Sequence, residues 1–301
     1  MEEPRRIPRC GARPLSRRPP IRHLTPLRYP GGKSHLAPFF GDLIQRNELA
    51  DGAYVEPYAG GAGVGVSLLL GEYVDSIWIN DLDPAVWAFW QSVLSDDGEL
   101  RRRIEKTPLT VPEWARQKAI YQSGLAAGVH ALGFAFFYLN RTNRSGILDG
   151  GVIGGKKQKG EWKMDARFNR EELADRVRRI ARYRSRLHVH CQDALIFLRS
   201  VLHRLPQRAL LYLDPPYYAK GRHLYTNYYT PADHGAIAKT VKRLTRPWVV
   251  SYDDRVETRR LYAGYPSRRY RLSYSAREKR QGAEVMFFAR EMAVPRSLPG
   301  S

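Results

Sequence analysis

The stretch LLYLDPPYY, residues 210–218, decides how the fold is interpreted. Its first four residues are mostly apolar, and a short apolar run bounded by turn residues is typical of a buried strand. Pro215 and Pro216 must end that strand, because proline has no N–H donor for a sheet ladder and has a fixed φ angle. The sequence therefore predicts that Asp214 lies at the carboxyl end of a buried strand, beside a rigid turn and the ring of Tyr217.

The same succession of strand, turn and helix occurs earlier in the chain. AYVEPY (53–58) and SIWIND (76–81) predict strands, and AGGAGVGVSLLL (59–70) predicts a glycine-rich turn that enters a helix. Strands that alternate with helices indicate a mostly parallel α/β sheet. Near the end of the chain, RRYRLSYS (268–275) and EVMFFA (284–289) predict an antiparallel hairpin at the sheet edge.

The middle of the chain breaks this pattern. Residues 100–139 favour helices, and residues 140–169 form a polar stretch, rich in Gly and Lys, that is long for a plain connection. We therefore predict one discontinuous α/β domain with a helical, basic insertion. The predicted parts are a disordered basic tail at 1–24, the α/β domain at 25–99 and 185–292, the insertion at 100–184 and a flexible C-terminus at 293–301.

Composition narrows the classes of partner and compartment. The 301 residues carry a formal net charge of +20, interleaved with 18 tyrosines, which favours a polyanionic partner such as nucleic acid. A basic surface that only aids solubility is the alternative. No apolar run reaches the roughly 18 residues of a membrane span, and no secretory signal is visible. The two cysteines, Cys10 and Cys191, do not suggest a disulfide framework or a cysteine-based zinc site, so we expect a cytoplasmic protein with no membrane partner.

Three chemical roles fit an aspartate in the position of Asp214. Metal binding is one, but no companion set of His, Asp and Glu is evident, so we expect no metal site. A strand end that only caps its turn is another. The third is an amino group on a flat base: Asp214 and the Pro215 carbonyl would accept its N–H donors, and Tyr217 would stack on the ring. These acceptors strengthen as positive charge develops on the nitrogen, which stabilises a transition state.

The glycine turn after the first strand indicates a nucleoside ligand when it is combined with Asp81. Glycines between a strand and a helix allow a ligand to approach the backbone, although a structural turn gives the same pattern. Asp81 lies about twenty residues further on, where an acidic side chain binds both ribose hydroxyls. Capping of the helix near Pro84 is the alternative role for Asp81. The glycine spacing differs from the dinucleotide fingerprint, so a nucleoside without pyrophosphate fits better.

Taken in their order, these motifs resemble the Dam-type DNA adenine-N6 methyltransferases, with the recognition segment between the cofactor motif and the catalytic motif. The resemblance extends from about residue 26 to residue 289. The segments that carry it are RYPGGK (28–33) and EPYAGGAG (56–63) for the cofactor, NDLDP (80–84) for its ribose, FFYLNRTNRSG (136–146) for DNA recognition and DPPY (214–217) for catalysis. Tyr58 departs from the family pattern, which usually has Phe after the Glu-Pro pair.

The resemblance implies roles for individual residues. The catalytic motif consists of Asp214, Pro215, Pro216 and Tyr217. The S-adenosylmethionine site would be lined by Tyr29, Lys33, Glu56, Tyr58, Gly60, Asp81 and Asp214. The residues expected to contact DNA are Arg28, Asn140, Arg141, Thr142 and Arg144.

The resemblance also implies a fold and a reaction. The fold is a Rossmann-like methyltransferase sheet with a helical DNA-recognition insertion. The reaction is site-specific transfer of a methyl group from S-adenosylmethionine to N6 of an adenine flipped out of double-stranded DNA. A cytosine-N4 methyltransferase and a catalytically silent DNA-binding relative are the alternatives. A bacterial, archaeal or phage origin is expected, with a restriction endonuclease as a candidate partner. Neither the recognition sequence nor the oligomeric state follows.

Overall fold

The structure, a computed structural model, describes residues 24–28, 32–95, 98–218, 229–274 and 280–296. Within them, the strands are β1 (Ala53–Glu56), β2 (Ser76–Asn80), β3 (Leu187–His190), β4 (Ala209–Leu213), β5 (Trp248–Asp253), β6 (Ser267–Tyr274) and β7 (Arg280–Phe288). The α-helices are α1 (Ala37–Arg46), α2 (Gly63–Leu70), α3 (Pro84–Leu94), α4 (Glu99–Lys106), α5 (Val111–Gln122), α6 (Val129–Thr142), α7 (Arg170–Ala181), α8 (Ala194–Val201), α9 (Pro231–Val241) and α10 (Val256–Leu261). The predicted tail, apart from Leu24, and residues 297–301 lie outside the described residues.

The strands form one sheet in the order β3-β2-β1-β4-β5-β7-β6. The first five strands in this order pair in parallel, whereas β7 runs antiparallel to both β5 and β6. This arrangement confirms the predicted Rossmann-like sheet, mostly parallel with an antiparallel hairpin at its edge. Because β1 lies between β2 and β4, the carboxyl ends of these three strands meet at one edge of the sheet, where ligands of open α/β sheets bind.

Helices cover both faces of the sheet, so the central strands are buried on both sides. In β4, Leu210 and Tyr212 pack into the core that contains α1, α2 and α3, whereas Leu211 and Leu213 pack against α8 and α9. All five residues of β4 are buried. A strand covered on both faces needs apolar side chains at successive positions, which explains why LLYL is continuous rather than alternating.

The helices between residues 99 and 181 pack against α3 and share its core. α6 lies along α3, and the ring of Phe137 stacks on that of Phe89 with centroids 5.8 Å apart. The basic helix α7 has an apolar face, on which Leu173, Val177 and Ile180 are buried. The division into an α/β domain and an insertion stays a prediction. Among the described residues, no helix combines the length and the apolar character needed to cross a membrane.

The close approach of α6 to α3 depends on Gly133. A Cβ atom at this position would lie 2.5 Å from the carbonyl oxygen of Ala88 and 2.6 Å from Ser92 Oγ. The first of these contacts is with helix backbone, which cannot move aside as the end of a side chain can. A larger residue at position 133 must therefore push the two helices apart.

We expect Gly133→Ala to lower the free energy of unfolding by about 1–3 kcal/mol, because it overpacks the contact between α3 and α6. Gly235→Ala is the matched control, since this glycine also lies within a helix but an added Cβ meets no atom within 4 Å. The control should be neutral or stabilising by up to about 1 kcal/mol, because alanine favours the helix. Urea unfolding monitored by circular dichroism measures both, and equal effects would contradict the packing described for α6.

Candidate active site

Acidic side chains collect at the carboxyl edge of the sheet. β1 ends with Glu56, Asp81 directly follows β2, and Asp214 directly follows β4. Glu56 and Asp214 are close enough for the charge of Asp214 to raise the pKa of Glu56, although burial is the larger cause. The structure therefore confirms the predicted position of Asp214 and brings it together with residues of the glycine-turn motif.

Asp214 is anchored through both of its carboxylate oxygens. Ser251 Oγ donates to Oδ1 at 2.5 Å, and Lys33 Nζ donates to Oδ2 at 3.1 Å. The Tyr212 hydroxyl lies 2.9 Å from Ser251 Oγ and continues this network into the sheet. A carboxylate has about four lone-pair positions, so about two remain for further donors. The side chain of Asp214 is 24% exposed, which leaves it accessible to a ligand.

Glu284, on β7, completes the network around Lys33, although the sequence pattern did not single it out. Its carboxylate is 1% exposed and lies 3.3 Å from Lys33 Nζ. It accepts hydrogen bonds from the hydroxyls of Tyr217 at 2.8 Å and Tyr270 at 2.5 Å. The ammonium of Lys33 therefore lies between two carboxylates, those of Asp214 and Glu284.

The charges around Asp214 act in opposite directions. Burial raises the pKa of its carboxyl above the ordinary range, and the neighbouring charge of Glu284 also raises it. The ammonium of Lys33 and the hydrogen bond from Ser251 lower the pKa and so favour the ionised form. The ionised form is the one that can only accept hydrogen bonds, which suits a ligand that carries N–H donors.

The turn after Asp214 is fixed at several points. The Tyr218 N–H donates to Asp253 Oδ1 at 3.0 Å, which ties the turn to the end of β5. Pro215 is buried, Pro216 is partly exposed, and no cis peptide bond occurs in the described part of the chain. Tyr217 is 7% exposed and is held by its hydroxyl, so stacking of a flat ligand on its ring stays a prediction.

The glycine turn and Asp81 are directly connected. The Gly60 N–H donates to Asp81 Oδ2 at 2.8 Å, and the Asp83 N–H donates to Asp81 Oδ1 at 3.0 Å. Gly60 has a φ of 45°, in the left-handed region that glycine adopts at little cost. The cap of α3 is Asp83, whose side chain accepts from the Ala85 N–H, so the alternative role of Asp81 as that cap is wrong. Burial raises the pKa of Asp81 to about 6.

Glu56 has an unused acceptor at the centre of this turn. Its Oε1 accepts from the Gly65 N–H at 3.3 Å, whereas its Oε2 is buried and accepts no well-aligned hydrogen bond from the described residues, although the Tyr54 hydroxyl is close enough to lower the pKa of Glu56. Burial raises the pKa of Glu56 to about 8. A buried acceptor without a donor is unfavourable, so this atom is suited to an N–H or ammonium group of a ligand.

Two further residues shape this edge of the sheet. The Tyr58 hydroxyl lies 3.2 Å from that of Tyr229, which precedes α9. Asn80, which the sequence pattern did not single out, donates to the carbonyls of Pro57 at 3.0 Å and Gln192 at 2.9 Å. Asn80 therefore ties together the segments that follow β1 and β3. Tyr29, a predicted cofactor contact, lies outside the described residues.

Two of the predicted DNA contacts are buried. The Asn140 amide is 1% exposed; it accepts from the Arg28 N–H at 2.8 Å and donates to the Arg28 carbonyl at 2.7 Å. Thr142 is fully buried, and its hydroxyl donates to the Tyr138 carbonyl at 2.8 Å. In these positions both side chains hold the protein together, so direct contact with DNA would require them to leave their partners.

Two of the predicted arginines, Arg28 and Arg141, in contrast, form a cationic cluster with Arg176. Burial and, to a smaller extent, the charges of Arg28 and Arg176 lower the pKa of Arg141 to about 9. Arg28 Nη1 and Arg141 Nε are buried and have no hydrogen-bond partner among the described residues. Arg144, in the turn after α6, is exposed. Clustered guanidinium groups with unused donors are suited to an anion such as a phosphate.

The geometry indicates what this site can do chemically. It offers acceptors for an amino group at Asp214, for a ligand donor at Glu56 and for hydroxyl groups at Asp81, all at one edge of the sheet. No cluster of three or more His, Cys, Asp and Glu residues that could hold a metal ion occurs among the residues that the structure describes. The arrangement suits two ligands that meet between β1 and β4, one of them a nucleoside.

Comparison with known proteins connects this geometry to a family. Residues 29–276 match the family described as D12 class N6 adenine-specific DNA methyltransferase. Among solved structures, the chain is similar to the rRNA methyltransferase aviRa from Streptomyces viridochromogenes, with 12% identity, 87% of this chain and 86% of that chain covered, and a TM-score of 0.41. No curated protein matches the sequence at a significant level. The family match spans most of the chain.

We expect Glu56→Gln to stabilise the free protein at neutral pH. The pKa of Glu56 is about 8 in the folded protein, against an ordinary value of 4.5. Between these values the folded carboxyl retains a proton that the unfolded one has lost, so stability falls as the pH rises from about 4.5 to about 8. Glutamine has no proton to lose, and the variant should gain on the order of 2–3 kcal/mol at pH 7 and little near pH 4.5.

Denaturant unfolding at several pH values measures this difference. Glu161→Gln, at an exposed position, is the control and should follow the wild type at every pH. A constant difference between wild type and Glu56→Gln across this pH range would show that Glu56 is ionised in the folded protein.

Proposed function

The chain belongs to the D12 class of N6 adenine-specific DNA methyltransferases, which methylate adenine N6 in DNA, and from this premise we propose that Asp214 receives the reacting amino group. One observation carries the proposal. The carboxylate of Asp214 is fixed by Ser251 and Lys33 at the end of β4, yet it is 24% exposed and has acceptor positions left. These positions suit the two N–H donors of an adenine amine.

We propose that the methyl donor is S-adenosylmethionine, bound between β1 and β2. The unused Oε2 of Glu56 suits the ammonium group of its methionine part, and the carboxylate of Asp81 suits the ribose hydroxyls. When bound, this cofactor supplies an electrophilic methyl group on a sulfonium. The full set of proposed contacts is Tyr29, Lys33, Glu56, Tyr58, Gly60, Asp81 and Asp214.

The residues of the catalytic turn then have separate roles. Asp214 and the Pro215 carbonyl accept hydrogen bonds from the amine, and these bonds strengthen as positive charge develops on its nitrogen. Pro216 keeps the turn rigid, and the base stacks on the Tyr217 ring. Positioning does most of the catalysis, because the methyl donor is already reactive. Asp214 is also placed to hold the proton that the amine loses.

The depth of the site supports extrusion of the base. Most of the Asp214 side chain is covered at the sheet edge, so we expect that an amine which stays stacked inside a duplex does not reach it. An adenine flipped out of double-stranded DNA reaches it at a cost of a few kcal/mol, which stacking and phosphate contacts offset. We propose that residues 100–184 form the recognition insertion and that residues 25–99 and 185–292 form the catalytic domain.

The arginine cluster supports a division of roles among the proposed DNA contacts. Arg28, Arg141 and Arg144 would bind the DNA backbone, because their guanidinium groups are exposed or have unused donors. Asn140 and Thr142 would act indirectly, by holding Arg28 and the end of α6 in place. This division modifies the prediction from sequence, in which all five residues contact DNA.

We expect the purified protein to form N6-methyladenine when it is mixed with DNA and S-adenosylmethionine, and Asp214→Ala to slow this at least about 100-fold while most DNA affinity remains. Asp42→Asn, which removes a partly exposed carboxylate on α1, is the control with unchanged activity. Mass spectrometry of the released nucleosides identifies the product. N4-methylcytosine as the sole product, or an active Asp214→Ala variant, would contradict the proposal.

Arg141→Gln and Arg144→Gln should each weaken DNA binding and reduce its dependence on salt. Each lost phosphate contact lowers the slope of log affinity against log salt concentration by about 0.9. Arg199→Gln, an exposed change on α8 across the sheet, is the matched control and should leave the slope as it is. Fluorescence anisotropy between 50 and about 200 mM salt covers the informative range. Slopes equal to that of the wild type would exclude a phosphate-binding role for both arginines.

A further inference from the structure

We propose that Glu284 is a positioning residue for methyl transfer, which acts through Lys33 and Tyr217 to keep Asp214 available as an acceptor for the adenine amine. This inference rests on the proposed role of Asp214. Glu284 itself does not touch the substrate in this proposal. It fixes the two groups that border Asp214 and contributes a negative charge beside them.

The residues around Glu284 stabilise a negative charge on its carboxylate. Its carboxylate is 1% exposed, and its contacts include Lys33 Nζ at 3.3 Å and the hydroxyls of Tyr217 at 2.8 Å and Tyr270 at 2.5 Å. A buried carboxylate is costly unless it is paired and hydrogen-bonded, and Glu284 has both an ion pair and hydroxyl donors. These contacts use most of its lone-pair positions.

The position of Glu284 on β7 is not one that stability alone requires. Glu284, Met286 and Phe288 alternate along β7, and the last two pack in the core on one face of the sheet. An apolar residue at position 284 would continue that face, and replacing a buried ion pair with apolar residues is often neutral or stabilising. The charge at this position therefore points to a role in the adjoining site.

Glu284 controls Lys33 and Tyr217 through geometry. Lys33 Nζ lies 3.1 Å from Asp214 Oδ2 and 3.3 Å from Glu284 Oε2, so the ammonium is shared between the two acids. Without Glu284, Lys33 would lose one of its two carboxylate partners, and its ammonium would shift toward Asp214 and cover more of the carboxylate that the amine needs. Tyr217 would lose the acceptor that fixes its hydroxyl, and with it the orientation of the ring.

The charges that face Asp214 give the expected sign of the pH effect. The ionisable groups that can carry these charges are Lys33 before α1, Glu56 at the end of β1 and Glu284 on β7. The nearby hydroxyl groups are those of Ser251 on β5, Tyr212 on β4 and Tyr270 on β6. Burial raises the pKa of Glu56 to about 8, so Glu56 is mostly neutral at pH values below 8. Tyr212 and Tyr270 have pKa values well above 10 and stay neutral as well.

Removing the charge of Glu284 should therefore shift the pH profile in one direction. Its negative charge raises the pKa of Asp214, so Glu284→Gln makes Asp214 ionise at lower pH. The acidic limb of the profile of kcat/KM should move down by about one pH unit. At the optimum, kcat should fall roughly tenfold because Lys33 and Tyr217 are less well placed. The Kd for DNA should not change.

Three further variants separate this effect from a change in folding. Glu284→Met has a side chain of the type already present at position 286 and removes the charge together with the acceptor of the Tyr217 and Tyr270 hydroxyls, so it should give the same downward shift in protein that circular dichroism shows to be folded. Glu284→Asp retains the charge and should keep the acidic limb near that of the wild type while kcat falls. Glu291→Gln, an exposed change shortly after β7, is the control with unchanged activity and profile.

The outcomes are distinguishable from those of the proposed function. If the wild type forms N6-methyladenine and folded Glu284→Gln and Glu284→Met keep the wild-type acidic limb, Glu284 has only a structural role and the inference is overturned. If the wild type forms no N6-methyladenine, the proposed function is wrong, and the inference about Glu284 is then wrong as well. Shifts of the acidic limb in both charge-free variants, with no shift in Glu284→Asp, support the inference.

Discussion

The ammonium of Lys33 is held between two carboxylates at the carboxyl edge of the sheet, and the rest of the site depends on this arrangement. A buried carboxylate is unfavourable unless it is paired and hydrogen-bonded, and Asp214 and Glu284 both meet this condition through Lys33. The shared cation joins the segment before α1, the end of β4 and the middle of β7, which are far apart in sequence. It thereby places a rigid acceptor beside the glycine turn and leaves part of it exposed.

Burial raises the pKa values of the acids at this edge. The pKa of Glu56 rises to about 8 and that of Asp81 to about 6; the pKa of Asp214 is also raised, although Lys33 and Ser251 oppose the effect of burial there. Environments that separate the pKa values of neighbouring acids allow them to take different roles. Glu56 reduces the stability of the free protein at neutral pH, which is consistent with a residue retained for a ligand rather than for folding.

The sequence predicts those parts of the site that are determined by residues close to one another along the chain. The positions of Asp214 and Asp81 follow from strands that end in turn residues, a signal contained within about ten residues. Glu284 could not be found this way, because it lies in the middle of β7 and only antiparallel pairing places it opposite Asp253, at the end of β5. The available signal was an acid at the position that continues the buried face of Met286 and Phe288. The burial of Asn140 and Thr142 could not be predicted from the sequence either, because it depends on packing between α6 and the segment that contains Arg28.

The central claim is that Asp214 accepts hydrogen bonds from the exocyclic amine of an adenine taken out of the duplex. The most direct measurement is a crystal structure of the protein with a DNA duplex that it methylates and an S-adenosylmethionine analogue that cannot transfer its methyl group. The account predicts an extrahelical adenine whose N6 lies about 2.7–3.2 Å from a carboxylate oxygen of Asp214, with Lys33 still between Asp214 and Glu284. An adenine that remains stacked in the duplex, or an extrahelical base whose amine binds elsewhere, would contradict it.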